Sequence, residues 1–479
     1  MRGCQTLNTL TPALSPWERG RKEWRFSTFF IAILPPMMIF SAMTHPHRIT
    51  IETLGARGDG IGHLEDGRRV FVPGALPGEV ITFIPGEKRD DGISAELDVI
   101  NTPSPDRIAP ACRHFERCGG CVLQHMSAES YAALKMGQVR AALERENIKI
   151  ENIEGPFISA PATRRRATMA AFQGQDKMVL GFNEARSNTI VDLEECPVLI
   201  PRLSALIPGL REVISKVLTQ GQGMDVSMVE SGGAVDIVLR PWTKKKSESL
   251  LPMFMLERLS AFAQKENIAR LSWQNSSTDE TDLTPIAWRE PFILNFSGVE
   301  VVPPPGAFLQ ATAEGEATLV RLVLDALGAG KKKPKLVADL YAGCGTFTFA
   351  IAQEKYRVHA VEGFAPAMAA LKNSTRGFAI TTEKRDLMHD PLMPKEMKDY
   401  DAVIMDPPRV GAGEQAKKLA RSEVPLVISV SCGLTSFVKD AATLIAGGYV
   451  FEKLSVVDQF LWSPHVEMVG VFRRPKRQY

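Results

Sequence analysis

Leu336-Val337-Ala338-Asp339-Leu340-Tyr341-Ala342-Gly343-Cys344-Gly345 is the stretch from which the fold is read. A short apolar run enters a glycine-spaced turn, and a helical pattern follows through Phe349 to Ala352. A strand turning tightly into a helix is the opening unit of a doubly wound sheet. Glycines lack Cβ atoms, so the backbone can approach a ligand at the carboxyl end of that sheet. Val358–Glu362, Asp401–Asp406 and Val424–Val430 read as further strands, which places a parallel Rossmann-like α/β domain at 306–479.

Glu362 ends the second of these strands, where an acid can hydrogen-bond ribose hydroxyls. No third glycine follows in dinucleotide register, because Thr346-Phe347-Thr348-Phe349-Ala350 continues the turn. Adenosine without a pyrophosphate fits better than a dinucleotide; the plainer alternative is an ordinary strand-to-helix turn with a surface glutamate. Asp406-Pro407-Pro408-Arg409 follows another strand. Its prolines stiffen a loop in which Asp406 accepts hydrogen bonds and Arg409 offers a planar fork. Cys432, in Ser431-Cys432-Gly433-Leu434, would by default be a small buried hydrophobe. With Asp406 before it and Glu467 after it, it outlines a methyl-transfer site with a covalent nucleophile.

The chain has 479 residues, enough for about three domains. A formal net charge of +2 argues neither for nor against nucleic acid, since binding depends on local patches. From Ile49 to Asn101, short apolar stretches alternate with Gly58-Asp59-Gly60 and Pro77-Gly78, which predicts a small OB-like β-barrel over 47–105. A proline-spaced linker, Pro103 to Pro110, leads to a central α+β region over 106–305. Within it Ser127–Asn147 is helical by period and Val235–Leu239 is a strand. Lys244-Lys245-Lys246 reads as a solvated loop, with RNA contact as the minority reading.

Seven cysteines are too few and too uneven for a secreted disulfide scaffold. Cys112, Cys118 and Cys121 are spaced C-x5-C-x2-C, and Cys196-Pro197 supplies a fourth. Four thiolates can hold a zinc ion or a [4Fe–4S] cluster; the close spacing and the Cys-Pro pair favour iron–sulfur. At the other end, Arg19, Arg21, Lys22 and Arg25 precede an apolar run from Phe26 to Met43 that imitates a signal peptide. Pro35 and Pro36 break it, and it is short for a span. The expectation is that translation begins at Met43, that 1–42 is a misassigned extension, and that the protein is a cytoplasmic monomer with no membrane partner.

Taken together, these residues resemble the RNA uridine-C5 (5-methyluridine) methyltransferases, over nearly the whole chain from about residue 48. The likeness includes the TRAM-like barrel, Cys118-Gly119-Gly120-Cys121, Gly181-Phe182, Cys196-Pro197 and Phe308-Leu309-Gln310. It continues through Asp339–Gly345, Glu362, Asp406–Arg409, Ser431-Cys432 and His465-Val466-Glu467. Barrel plus cluster looks most like the 23S ribosomal RNA branch. The resemblance implies that Gln310, Tyr341, Glu362 and Asp406 contact S-adenosylmethionine, with Asp386 a further candidate on the adenine side. It also implies that Cys432 is the nucleophile and Glu467 the general base. Departures lie at Gly433-Leu434, where asparagine and proline are usual, and at Phe460-Leu461-Trp462-Ser463, where Phe-Pro-His-Thr is usual.

Uracil C5 is too weak a nucleophile to attack a methyl sulfonium unaided. Addition of a thiolate to C6 makes it enolate-like. Cys432 is therefore expected to have a lowered pKa. The uridine must be flipped or looped out, with Phe308 or Trp462 as a stacking face and Arg164-Arg165-Arg166 as a phosphate contact or a solvated run. Competing readings are a transfer RNA uridine methyltransferase, a non-catalytic iron–sulfur RNA-binding protein, and a DNA cytosine-C5 methyltransferase. The last would place proline, not Ser431, before the cysteine.

Overall fold

The apolar runs of the C-terminal third lie side by side in one eight-stranded sheet in the computed structural model, which describes residues 47–475 apart from 90, 243–250, 276–278 and 331–333. The proposed extension 1–42 and the lysines at 244–246 lie outside the described residues. Every described residue belongs to a single unit spanning 45–479.

Five strands of that sheet run parallel, in the order Ile380–Lys384, Arg357–Glu362, Leu336–Leu340, Ala402–Met405, Leu426–Ser431. The three strands Leu336–Leu340, Ala402–Met405 and Leu426–Ser431 are buried on both faces under helices such as Thr346–Gln353 and Leu434–Ala446, hence their nearly unbroken apolar sequences. Ile380–Lys384, at the sheet's edge, is instead mostly polar and at least partly exposed throughout. Strand order reverses beside Leu336–Leu340, so the glycine turn and the Asp406 loop leave the carboxyl ends of adjacent strands at the switch point. Glu467–Arg473 then pairs antiparallel to Leu426–Ser431, with Ser431 opposite Met468. Antiparallel pairing sets the start of one strand beside the end of the other. Cys432 and Glu467 are neighbours for that reason.

Two further strands complete the sheet: Val450–Asp458, and Ile153–Ile158 parallel to it at the edge. The helix Ala128–Arg145, capped by the Ser127 hydroxyl, packs Val139, Ala142 and Leu143 into the core beneath the same sheet. A second six-stranded sheet, from Arg166–Gln173 to Leu283–Trp288, carries the central region. The expected strand there spans Ala234–Pro241. Six strands between His47 and Thr102 form the N-terminal sheet, which packs around Ile49, Val70, Val72, Ile81 and Phe83.

Candidate active site

The glycine turn carries three left-handed residues in five: Tyr341 at φ 62, Gly343 at φ 56 and Gly345 at φ 107. A Cβ on Gly345 would stand 2.5 Å from the Phe349 ring, so only glycine fits there. Tyr341 holds a conformation that costs a residue with a side chain about 1–3 kcal/mol, a cost that clusters at ligand sites. Its hydroxyl is buried without a partner, as is Oδ1 of the fully buried Asp339. Orphaned polar atoms facing a glycine turn fit a polar ligand such as the adenosine and amino-acid parts of S-adenosylmethionine. Glu362 pins this turn, its carboxylate accepting the Gly343 and Phe364 N–H groups at 2.9 and 2.6 Å. Asp386 instead accepts the Met388 N–H and pairs with His389 on the surface.

Cys432 follows its strand directly and precedes a helix whose N-cap is Gly433. A Cβ on Gly433 would lie 2.5 Å from the Arg409 carbonyl oxygen, which also accepts the Ser436 hydroxyl at 2.9 Å. The unusual glycine thus lets the Asp406–Arg409 loop close onto the cysteine turn. Burial pushes the Cys432 thiol up to about 12, with the Glu467 and Asp406 charges adding and Arg409 opposing. This corrects the expectation of a lowered pKa. A thiol enclosed beside two carboxylates is held protonated until something else enters the site.

The two carboxyls share one hydrogen-bonded chain. Gln310 donates from Nε2 to Asp406 Oδ2 at 3.2 Å. Gln459 donates from Nε2 to Gln310 Oε1 at 2.6 Å and to Glu467 Oε1 at 2.9 Å. Burial raises the Asp406 carboxyl, opposed by Gln310. Burial and then the Asp406 charge push Glu467 up to about 8, opposed by Gln459 and Arg166. Oε2 of Glu467 is buried with no partner.

The arginine run points inward, with a separate destination for each residue. Arg164 is enclosed, with its guanidinium 6.0 Å from the Phe460 ring and facing Cys121 and Cys196. Arg165 pairs with Glu316 at 2.8 Å. Arg166 stacks 4.3 Å over the ring of Phe308 and feels the charges of Glu467 and Cys432; burial lowers its pKa to about 10. Phe308 is 60% exposed, consistent with a stacking face, whereas Trp462 packs beside Leu123 and Tyr131.

Cys112, Cys118, Cys121 and Cys196 are all free thiols. Burial raises each, and every pair among them is close enough for one to raise another, Cys121 reaching about 12 and Cys196 about 11. Among the described residues no group of three or more His, Cys, Asp or Glu side chains is arranged to hold a metal ion. The four sulfurs share a neighbourhood without closing on one ion. As a donor set they fit a thiolate-bound metal centre, which would relieve the cost of gathering them.

Sequence reasoning singled out Gln310, Tyr341, Glu362, Asp406, Cys432 and Glu467, and the fold brings all six to one end of the sheet. It missed Gln459, Arg166 as a site residue, and the buried Lys135. Its own motif offered one cue, since Gln459 follows the strand-ending Asp458 in the stretch that leads to Glu467.

Residues 303–476 match the tRNA (Uracil-5-)-methyltransferase family model, and residues 47–82 match the TRAM domain. An RNA methyltransferase of Brucella suis, itself uncharacterised, is 42% identical over 90% of this chain and 98% of its own length. A 23S rRNA (uracil(1939)-C(5))-methyltransferase of Halomonas elongata is 31% identical, covering 89% of each chain. The chain belongs to the S-adenosylmethionine-dependent RNA (uracil-C5) methyltransferase family. The fold agrees: the Pyrococcus abyssi tRNA (uracil-54, C5)-methyltransferase, solved with S-adenosyl-L-homocysteine, superposes with a TM-score of 0.68 over 89% of this chain and 99% of its own. At 23% identity that likeness concerns architecture alone.

Proposed function

We propose that this methyltransferase modifies C5 of a uridine in 23S ribosomal RNA through a covalent adduct between Cys432 and C6. The observation that carries the reading is the placement of Cys432 beside both Glu467 and Asp406, with Glu467 Oε2 left free. Gln310, Tyr341, Glu362 and Asp406 hold S-adenosylmethionine, which supplies an electrophilic methyl group. As Cys432 Sγ bonds to C6, its S–H bond breaks, the proton passes to water, and the C5=C6 pair moves toward C5 and O4. The high thiol pKa makes proton loss concurrent with bond formation. The C5 pair then bonds to the methyl carbon as the methyl–sulfur bond breaks to leave S-adenosylhomocysteine, and Glu467, in its ionised form, takes the C5 proton on Oε2. The C–H pair reforms C5=C6 and expels the Cys432 thiolate. Arg166 supplies the cation facing these anions.

Cys112, Cys118, Cys121 and Cys196 bind a [4Fe–4S] cluster in a central domain over 106–305, between a barrel at 47–105 and the catalytic domain at 306–479. The four gathered free thiols support that assignment. The enzyme works as a cytoplasmic monomer; no helix among the described residues is long and apolar enough to cross a membrane. The 31%-identical ribosomal RNA enzyme favours 23S rRNA, and the architecture of the transfer RNA enzyme keeps a transfer RNA substrate as the second reading.

Two measurements test this. Glu467→Gln should trap RNA on Cys432 as a slow band on a denaturing gel, and Cys432→Ala should form no adduct; turnover by the latter would exclude the covalent route. Mapping 5-methyluridine in both RNA classes from a deletion strain decides the substrate. A missing mark in transfer RNA alone would overturn the ribosomal assignment.

A further inference from the structure

Gln459 lies at the centre of the site and is assigned no role above. Its side chain is 2% exposed, it follows the strand Val450–Asp458, and its amide makes three hydrogen bonds. One of the three settles the other two. The Ala311 backbone N–H, which can only donate, points at Gln459 Oε1 from 2.7 Å. The remaining end of the amide is therefore the NH2 group, and both its partners, Gln310 Oε1 and Glu467 Oε1, must be acceptors. Gln310 is thereby fixed in turn, with its own NH2 toward Asp406. No amide in this chain can flip without setting donor against donor.

The direction has a chemical consequence. Glu467 Oε1 is occupied by the amide, while Oε2 is enclosed and unpartnered. The two oxygens of the carboxyl are not equivalent. An N–H donated to a carboxylate also favours its ionised form, opposing the burial and the Asp406 charge that hold Glu467 protonated.

We propose that Gln459 is a positioning residue for proton abstraction: it clamps Glu467 Oε1 so that Oε2 faces C5, and it ties that carboxylate through Gln310 to the Asp406 loop. In the step it serves, the C5–H bond breaks onto Oε2, its electron pair reforms C5=C6, and the C6–Sγ bond breaks to release the Cys432 thiolate. This rests on Glu467 being the base. The helix Ala313–Gly328 leaves room for the clamp, since a Cβ on Gly315 would stand 2.8 Å from Gln459 Cβ and 3.2 Å from its Oε1.

The test follows the methylated adduct rather than overall activity. Gln459→Met keeps the volume and removes the donors; Gly315→Ala keeps Gln459 and displaces it. With full-length enzyme and an RNA substrate, both should still transfer the methyl group in a single turnover. Both should accumulate adduct, with release slowed on the order of tenfold or more. In Gln459→Met the rise of the release rate with pH should move to higher pH, which a purely structural defect would not do. Wild-type release rates with an unmoved pH profile in both variants overturn the proposal. If Glu467→Gln also forms its adduct, the base assignment survives that result. Full turnover by Glu467→Gln overturns both readings together.

Discussion

At the scale of single residues, the site is defined by charges it cannot easily carry. Asp339, Asp406 and Glu467 are all carboxyls whose pKa burial raises, and the last two sit beside a thiol raised first for the same reason. Asp406, Cys432 and Glu467 were readable as candidates in the sequence, from an acid closing an apolar strand and from the family motifs that the three residues resemble, whereas Asp339 was read only as part of the glycine turn. Their ionisation was not readable, since it depends on what encloses them. Cys432 shows the difference: the proposed chemistry calls for a thiolate, and burial pushes the thiol's pKa up to about 12. The raised carboxyl of Glu467 has a consequence for stability. The folded chain holds that proton more tightly than the unfolded chain does. The contribution is therefore full below the ordinary glutamate pKa of 4.5 and is lost as pH rises through about 8. Glutamine does not titrate, so the melting temperature of wild type relative to Glu467→Gln should fall between pH 5 and pH 8. Differential scanning calorimetry at fixed ionic strength would measure it; a difference that stayed level or grew with pH would refute the assigned burial.

At the scale of elements, the loop from Asp458 to Glu467 is held by a helix more than 300 residues earlier. Lys135, fully buried, donates from Nζ to the carbonyls of Ser463 and His465 at 2.5 and 2.6 Å and lies 3.3 Å from Asp458 Oδ2. Tyr131 donates its hydroxyl to Asp458 and accepts the Trp462 N–H at 2.8 Å. The helix itself was legible from its apolar period, with Tyr131, Val139 and Leu143 in phase and Ser127 at its cap. Lys135 on the same face was not, because a lysine in a helical pattern reads as solvated unless its partner is known. The same clamp accounts for the unusual Phe460-Leu461-Trp462-Ser463 run: Trp462 takes φ 62 and packs with Leu123 and Tyr131. Lys135→Met would leave the Asp458 carboxylate and two carbonyls without their cation. A loss of about 3–5 kcal/mol is expected from breaking such a pair, measurable as a lower denaturant midpoint. Amide hydrogen exchange should quicken across 459–466 while the glycine turn at 341–345 keeps its protection. Equal loosening of both segments would mean that Lys135 supports the sheet as a whole.

At the scale of the whole molecule, elements from three separate sheets meet on one short segment within a single unit. The barrel was visible from glycine and proline punctuation and the catalytic sheet from its strand-to-helix turns. The central sheet was legible only in part, at Val235–Leu239. How they meet was not legible, because the joining contacts lie far apart in sequence. Ile153–Ile158 illustrates this: it adds to the catalytic sheet beside Val450–Asp458, a partner some 300 positions away. Leu123 is the meeting point. It packs with Leu76 of the barrel, Tyr131 of the clamping helix and Trp462 of the catalytic loop, and its N–H reaches the Trp462 carbonyl at 3.0 Å. Two residues earlier stands Cys121, and Gly119 donates to the Asn183 carbonyl beside the central sheet at 3.0 Å. The cysteine segment is thus a junction that holds, at Trp462, the loop leading to Glu467. Cys121→Ser, or removal of a bound metal by a chelator, should loosen 119–126 and, through Leu123, the loop 459–466. Hydrogen exchange should rise in both segments and adduct release should slow. Binding of S-adenosylhomocysteine at the glycine turn should change little, because none of these contacts reaches Tyr341 or Glu362. If the loop kept its protection after the cysteines were disabled, the junction would be a matter of packing alone. Loss of nucleotide binding in step with the loop would point instead to a collapse of the whole unit.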